Sequence, residues 1–307
     1  IMSADEFNHL SDNVVPVIVN ARPFGKYSMV DIDDRGGIQV FVKDLLDAGL
    51  LKGDVMTCTG MTLAEQVDSL SPNKPDGDVI YSVEKPFKQT GGLRLLGGNL
   101  SPEFSAVLKL AGVEGGLDNN LFNGSARVFN GEEDLLKFLD ATPNELENND
   151  MIVVRYEGPV GGPGMPEMLD STSRITAICR DKNIVVGLMT DGRFSGGSVG
   201  LVIGHVGPEA AVGGPIALIE NGDIIEVSLT SNEINCKQLQ DPNIVKARLD
   251  KWNREVDDNT GAHPFVGRAD TRLLNRMRKS AVSAIYGAGM HPNSELFVCD
   301  PRQPEFS

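Results

Sequence analysis

The sequence has 307 residues, 40% of them hydrophobic and 23% charged, which fits an ordinary globular chain with one large core or two smaller ones. Its net charge of −15 and the lack of any Lys/Arg cluster interleaved with aromatics argue against nucleic acid as a partner. No apolar run approaches the roughly 18 residues that span a bilayer, so a membrane-spanning helix is excluded.

The first residues, IMSADEFNHL, show neither a basic region followed by an apolar one nor an Arg-rich amphipathic pattern, so no targeting segment is read there. A start at Ile1 with Met2 second suggests part of a longer chain. Cys58, Cys179, Cys236 and Cys299 are widely separated and none forms a C-x-x-C pair. That spacing disfavours a disulfide framework or a metal cluster built within this segment, and it points to a reducing compartment, the cytoplasm or an organelle matrix being the expectation.

In chain order, residues 13–20 (NVVPVIVN) read as a short buried strand. Residues 36–52 carry apolar side chains at Val40, Phe41, Leu45, Leu46 and Leu50, the spacing of an amphipathic helix. Thr62 followed by Glu65 has the form of a capping box opening a second helix. Residues 71–88 hold three prolines and an Asp-Gly turn, and read as an interdomain linker.

Beyond the linker, 104–112 (FSAVLKLAG) reads as a helix ended by glycine and 126–130 as a strand. Residues 131–140 read as a helix with acidic residues in its first turn, favourable to the dipole. Residues 151–156 (MIVVRY) and 184–190 are apolar strands, with a helix expected between them over 168–180. Residues 215–229 read as two strands joined at Asn221-Gly222, and helices are expected over 242–256 and 270–286. The alternation of short strands and helices predicts an α/β chain built on a sheet or barrel.

Two glycine-framed loops, 157–168 and 190–200, each follow an apolar strand and each holds one chemically capable side chain. In the first it is Glu167, whose carboxylate suits a hard cation such as Mg²⁺ and equally suits the start of the following helix. In the second it is Ser195, a possible base or nucleophile or simply a turn residue. The surrounding residues are not G-x-S-x-G, and none of His205, His263 and His291 lies in a triad context. Asp191 and Arg193 read as a local ion pair fixing the loop, and His205, among apolar neighbours, reads as structural. No G-x-G-x-x-G or P-loop pattern is present, so the glycines alone do not imply phosphate binding.

The segments YEGPVGGPGMPEML (156–169) and TDGRFSGGSVGLVIGHVGPEAAVGGPIALIENGD (190–223) closely resemble the dihydroxy-acid dehydratase and phosphogluconate dehydratase family. GKYSMVD (25–31), CTGMTLAE (58–65), GGLRLLGGNLSPE (91–103) and FNGSARVF (122–129) support the likeness, in the family's order. Phe194 and Gly197 fit the dihydroxy-acid branch, because sugar-acid dehydratases tend to carry Met and Thr there.

The resemblance implies a lyase, active as a homodimer, that removes water from a 2,3-dihydroxy acid to give a 2-keto acid in branched-chain amino-acid synthesis. Its cofactors would be Mg²⁺ and an iron–sulfur cluster, of the 2Fe-2S or 4Fe-4S type. Ser195 falls on the family's serine base and Glu167 on a Mg²⁺ ligand. The family's cluster cysteines belong to an N-terminal half without counterpart here.

The implied organisation is therefore a remnant of the α/β cluster-binding domain over 1–75 and a linker over 76–90. A swivelling β-barrel-like domain with flanking helices would follow over 91–307. A sugar-acid dehydratase and a non-catalytic homologue are the alternatives, and residues 255–307 depart from the family's usual ending.

Overall fold

The computed structural model describes residues 2–22, 25–109, 118–195, 200–256, 263–266 and 271–291. They form two compact units, 1–93 and 94–307.

The first unit is built from four short helices: α1 (Ala4–Asn13), α2 (Met29–Asp34), α3 (Ile38–Asp47) and α4 (Leu63–Ser69). Three of them start on reciprocal capping boxes, Ser3 with Glu6, Ser28 with Asp31 and Thr62 with Glu65. Each box satisfies backbone donors that the first helical turn leaves unpaired. Ile32, Val40, Val79 and Ile80 form the small core. Residues 13–20 contribute single bridges, Val17 to Lys88 and Val19 to Ile80. The stretch 76–90, expected as a linker, is thus part of this unit, and Ile80 within it has no exposed surface.

The second unit carries an eight-stranded sheet. Its strands are β1 (Leu93–Leu96), β2 (Ala106–Lys109), β3 (Leu121–Phe129), β4 (Asp150–Val154), β6 (Gly187–Thr190), β8 (Leu201–Gly204), β9 (Ile224–Ser228) and β10 (Glu233–Cys236). They are ordered β1-β2-β8-β6-β4-β3-β9-β10. A separate two-stranded ribbon pairs β5 (Glu167–Met168) with β7 (Arg193–Phe194). The central run β8-β6-β4-β3 is parallel, flanked by antiparallel β2 and β9. A bridge between Gly97 and Glu233 links the β1 end to β10, so the sheet curls into a nearly closed barrel.

β4 is buried along its whole length, as expected for a parallel strand covered on both faces. Alternation sends Met151 and Val153 into the barrel, with Phe122, Met189, Ile203 and Val227. Ile152 and Val154 point outward, onto Leu135 and Leu139 of α5 (Glu132–Ala141) and Ile175 of α6 (Asp170–Lys182). α7 (Pro242–Glu255) and α8 (Arg272–Ser280) complete the flanking helices. Among the described residues no helix is long and apolar enough to cross a membrane.

Two expectations are corrected. The segment 104–112, expected as a helix, contains the strand β2, which pairs with β8 in the register Leu108 to Ile203; residues 110–112 lie outside the described ones. Ala106 and Leu108 are fully buried while Val107 and Lys109 are less so, a period of two that sheet burial selects over the helical pattern.

The second concerns Asn221-Gly222, which does not join a hairpin. Ile216, Ala217 and Leu218 before it are all buried in a 3-10 turn opened by Pro215. Asn221 Oδ1 accepts from Val128 N at 2.7 Å and Gly222 N donates to Ala126 O at 2.9 Å, so this turn docks on β3. The hairpin lies one step later, between β9 and β10.

The strand reading of 106–109 predicts unequal effects at neighbouring positions. Leu108→Ala should cost about 2–5 kcal/mol in urea denaturation of the second unit, whereas Val107→Ala, at a less buried position of the same strand, should cost clearly less. Equal losses at the two positions would contradict β2.

Candidate active site

In parallel sheets the carboxyl ends of the strands gather ligand-binding loops. β4 and β6 are neighbours, so their exits lie side by side. Past β4, Tyr156 adopts a left-handed φ of 67° and turns the chain into the loop that ends at Glu167. Past β6 come Asp191 and Gly192, where a Cβ on Gly192 would lie 2.6 Å from the Glu157 carbonyl oxygen. Glycine is required there because the two loops touch backbone to backbone.

The loops then pair. Glu167 stands opposite Arg193 and Met168 opposite Phe194 in parallel register. Met168 is fully buried and Phe194 packs with it against the α5/α6 side of the sheet. Strand alternation therefore puts Glu167 and Arg193 on the opposite, exposed face. Ser195 follows Phe194 directly, just past the end of β7. The pairing brings the strand that carries Glu167 beside the one that leads into Ser195. Glu167 is exposed and, among the described residues, its carboxylate has no hydrogen-bond or ion-pair partner. Ser195 is half-buried, and residues 196–199 of its loop lie outside the described ones.

The expected ion pair between Asp191 and Arg193 is replaced by two separate attachments. Arg193 Nε donates to the Met165 carbonyl at 2.8 Å. Asp191, 1% exposed, accepts three backbone N–H groups: Tyr156 at 3.0 Å, Glu157 at 2.9 Å and Ala210 at 2.9 Å. Burial pushes its carboxyl above the ordinary range against the pull of these bonds. His205 closes β8 with a φ of 57° and donates its N–H to Gly192 O at 2.9 Å, a structural role as read from sequence. Burial and then the Arg193 charge hold its imidazole below the usual histidine range.

Glu209 was not singled out from sequence. It is 4% exposed, with Oε1 accepting from Val160 N at 2.8 Å and Oε2 from Gly161 N at 3.0 Å. Burial, and then the Asp191 carboxylate, raise its pKa from 4.5 to about 8. The signal in the sequence was an acid within GHVGPEAAVGG, a stretch with almost no other polar side chain.

For a metal, Glu167 offers one hard oxygen donor, whereas such cations take about six. Among the described residues no group of three His, Cys, Asp or Glu converges on a point. Cys58 is exposed in the first unit, Cys179 is half-buried on α6 and Cys236 is buried in β10, so these thiols do not fit an iron–sulfur cluster. Cys299 lies outside the described residues.

The pattern of motifs on this scaffold has a known counterpart. The model for the C-terminal part of the dihydroxy-acid/6-phosphogluconate dehydratases matches residues 78–288, and that for their N-terminal part matches 1–66. The chain belongs to the dihydroxy-acid/6-phosphogluconate dehydratase family. The dihydroxy-acid dehydratase of a Nocardioides species is 41% identical over 288 residues, covering 94% of this chain and 47% of that protein. Those of Acidothermus cellulolyticus and Corynebacterium efficiens are 44% and 46% identical, over 82% and 87% of this chain and 42% and 45% of their own lengths. The chain thus spans about half the length of these dehydratases. Both glycine-framed loops fall inside the C-terminal match.

The buried Glu209 gives a pH dependence whose sign is fixed. With its pKa raised from 4.5 to about 8, the folded chain holds a proton that the unfolded chain releases. Its contribution to stability is complete below 4.5 and is lost as pH rises through about 8. His205 and His263, both depressed chiefly by burial, act in the opposite sense. The expected observation is therefore a difference: Glu209→Gln removes a falling component from the melting-temperature profile across this window. A wild-type profile that parallels the variant throughout would contradict the raised pKa.

Proposed function

We propose that this chain is the C-terminal catalytic portion of a dihydroxy-acid dehydratase, a hydro-lyase that converts a 2,3-dihydroxy acid into a 2-keto acid. The observation that supports the reading is the parallel β5/β7 pairing, which lays Glu167 beside the strand that leads into Ser195, in the loops that follow β4 and β6. The dihydroxy-acid dehydratase names of the relatives support the substrate class.

In this reading Ser195 Oγ, as the alkoxide, takes the proton from C2 of the substrate. The C2–H electron pair forms the C2–C3 double bond as the C3–O bond breaks. The 3-hydroxyl departs and is protonated to water, and the enol tautomerises to the keto acid, so one water is lost overall. A serine hydroxyl is too weak a base for this at neutral pH without nearby positive charge.

Arg193, anchored by the Met165 carbonyl, supplies fixed positive charge on the face that carries Glu167 and suits a substrate carboxylate. Glu167 would furnish one of several oxygen ligands to Mg²⁺, whose charge lowers the pKa of hydroxyl groups beside it. The cysteines described here do not fit the family's iron–sulfur cluster, and no step is drawn through it. A homodimer acting in the cytoplasm, or in an organelle matrix, belongs to the same reading.

Dehydration of 2,3-dihydroxyisovalerate and of a sugar acid should be followed with this chain alone and with the chain joined to the N-terminal half of the Nocardioides relative. The chain alone should be inactive. The fusion should act on dihydroxyisovalerate, and Ser195→Ala should lower its kcat about a hundredfold or more with the fold intact. Turnover by the chain alone, preference for the sugar acid, or full activity without Ser195 would each overturn a part of the reading.

A further inference from the structure

The loop from Glu157 to Pro166 carries Glu167 at its end; its first half, to Gly162, is mostly buried with Val160 against the barrel core, and its second half is more exposed. Within it, Gly162 N donates to Gly158 O and Met165 N to Gly162 O, bonds that shape the loop and do not anchor it. At its base Glu157 donates its N–H to Asp191 and accepts from Glu132 N; further along, exposed Arg193 holds Met165 and buried Glu209 holds Val160 and Gly161. The loop wraps closely on the Glu209 carboxylate, since a Cβ on Gly158 would lie 2.4 Å from Oε2. Glu209 is itself fixed, because the next residue, Ala210, donates its N–H to Asp191 at 2.9 Å. Asp191 stands four residues before Ser195. A continuous path therefore runs from the serine strand through Asp191, Ala210 and Glu209 to the loop that presents Glu167.

We propose that Glu209 is a positioning residue for the reaction, holding Glu167 in place relative to Ser195 by gripping the 157–166 loop from inside the barrel. The proposal rests on the functional reading above only for its effect on turnover; the grip on the loop stands apart from it. Two acceptor oxygens facing two N–H groups is a geometry that Gln cannot reproduce. Its amide group would face one of those donors, leaving a buried N–H unsatisfied. Asp191 and Glu209 are not hydrogen-bonded to each other, so the coupling passes through the backbone of Ala210.

The test is Glu209→Gln in this chain, read by amide hydrogen exchange, and in the active fusion, read by kcat and KM. Exchange across 158–168 should accelerate about tenfold or more while β3 and β9 are unchanged. In the fusion kcat should fall about tenfold or more, with KM for the dihydroxy acid within about threefold of wild type. Gly158→Ala, which pushes on the same carboxyl group without replacing it, should loosen the same segment.

Unchanged exchange in 158–168, or acceleration spread evenly over the barrel, would overturn the proposal. So would failure of both variants to fold, which would make Glu209 a core residue rather than a positioning one. A loosened loop with unaltered kcat would show that the grip does not serve catalysis. If Ser195→Ala keeps full turnover, the functional reading fails while the exchange result still decides the grip.

Discussion

The Asp191 carboxylate, sunk at the exit of β6 and accepting backbone N–H groups from Tyr156, Glu157 and Ala210, is the interaction on which the site depends. Removing a carboxylate from water costs several kcal/mol. Hydrogen bonds to a charged acceptor return about 1.5–3 kcal/mol each, so three of them recover part of that cost, and burial still holds the carboxyl above its ordinary range. The consequence is geometric. The three donors belong to the exit of β4 and to the turn after β8, so one side chain ties together the ends of three adjacent parallel strands. Remove it and three backbone donors are left buried.

The barrel explains why such a tie is possible. A parallel run β8-β6-β4-β3 presents successive carboxyl ends at one rim, and the bridge from Gly97 to Glu233 brings the outer strands round to restrict spreading. Interior packing through Met151, Val153, Met189 and Ile203 sets the rim, while α5 and α6 cover the outer face. On that base a ribbon of only two residues per strand can hold a fixed register. Its buried side chains, Met168 and Phe194, continue the outer core, and its exposed ones carry the proposed chemistry.

Much of this was legible in the sequence where local signals and burial agree. The Thr62–Glu65 capping box is satisfied in both directions, at 2.9 Å and 3.3 Å. The unbroken apolar runs before residues 155 and 191 are the two central parallel strands. Where a short apolar segment fits two periods, tertiary burial decides: the run around Ala106 and Leu108 is short enough to suit either, and its burial at every second residue is that of a strand. Asn221-Gly222 does make a turn, but the buried Ile216–Leu218 turn before it left no strand to pair.

The site was half legible. Glu167 and Ser195 stood out because their loops hold little else that is reactive, yet a two-residue strand leaves no periodicity from which the pairing of β5 with β7 could be read. Glu209 and the true partners of Asp191 were hidden for a different reason, since a carboxylate bonded only to backbone amides leaves no complementary side chain in the sequence. The central claim is that Glu167 and Ser195 act as one site because β5 and β7 are paired. A double-mutant cycle on kcat with Glu167→Gln and Ser195→Ala in the active fusion tests it most directly. The account predicts strong coupling, the double variant being no slower than the slower single one. Losses that multiply, as for two independent residues, would contradict it.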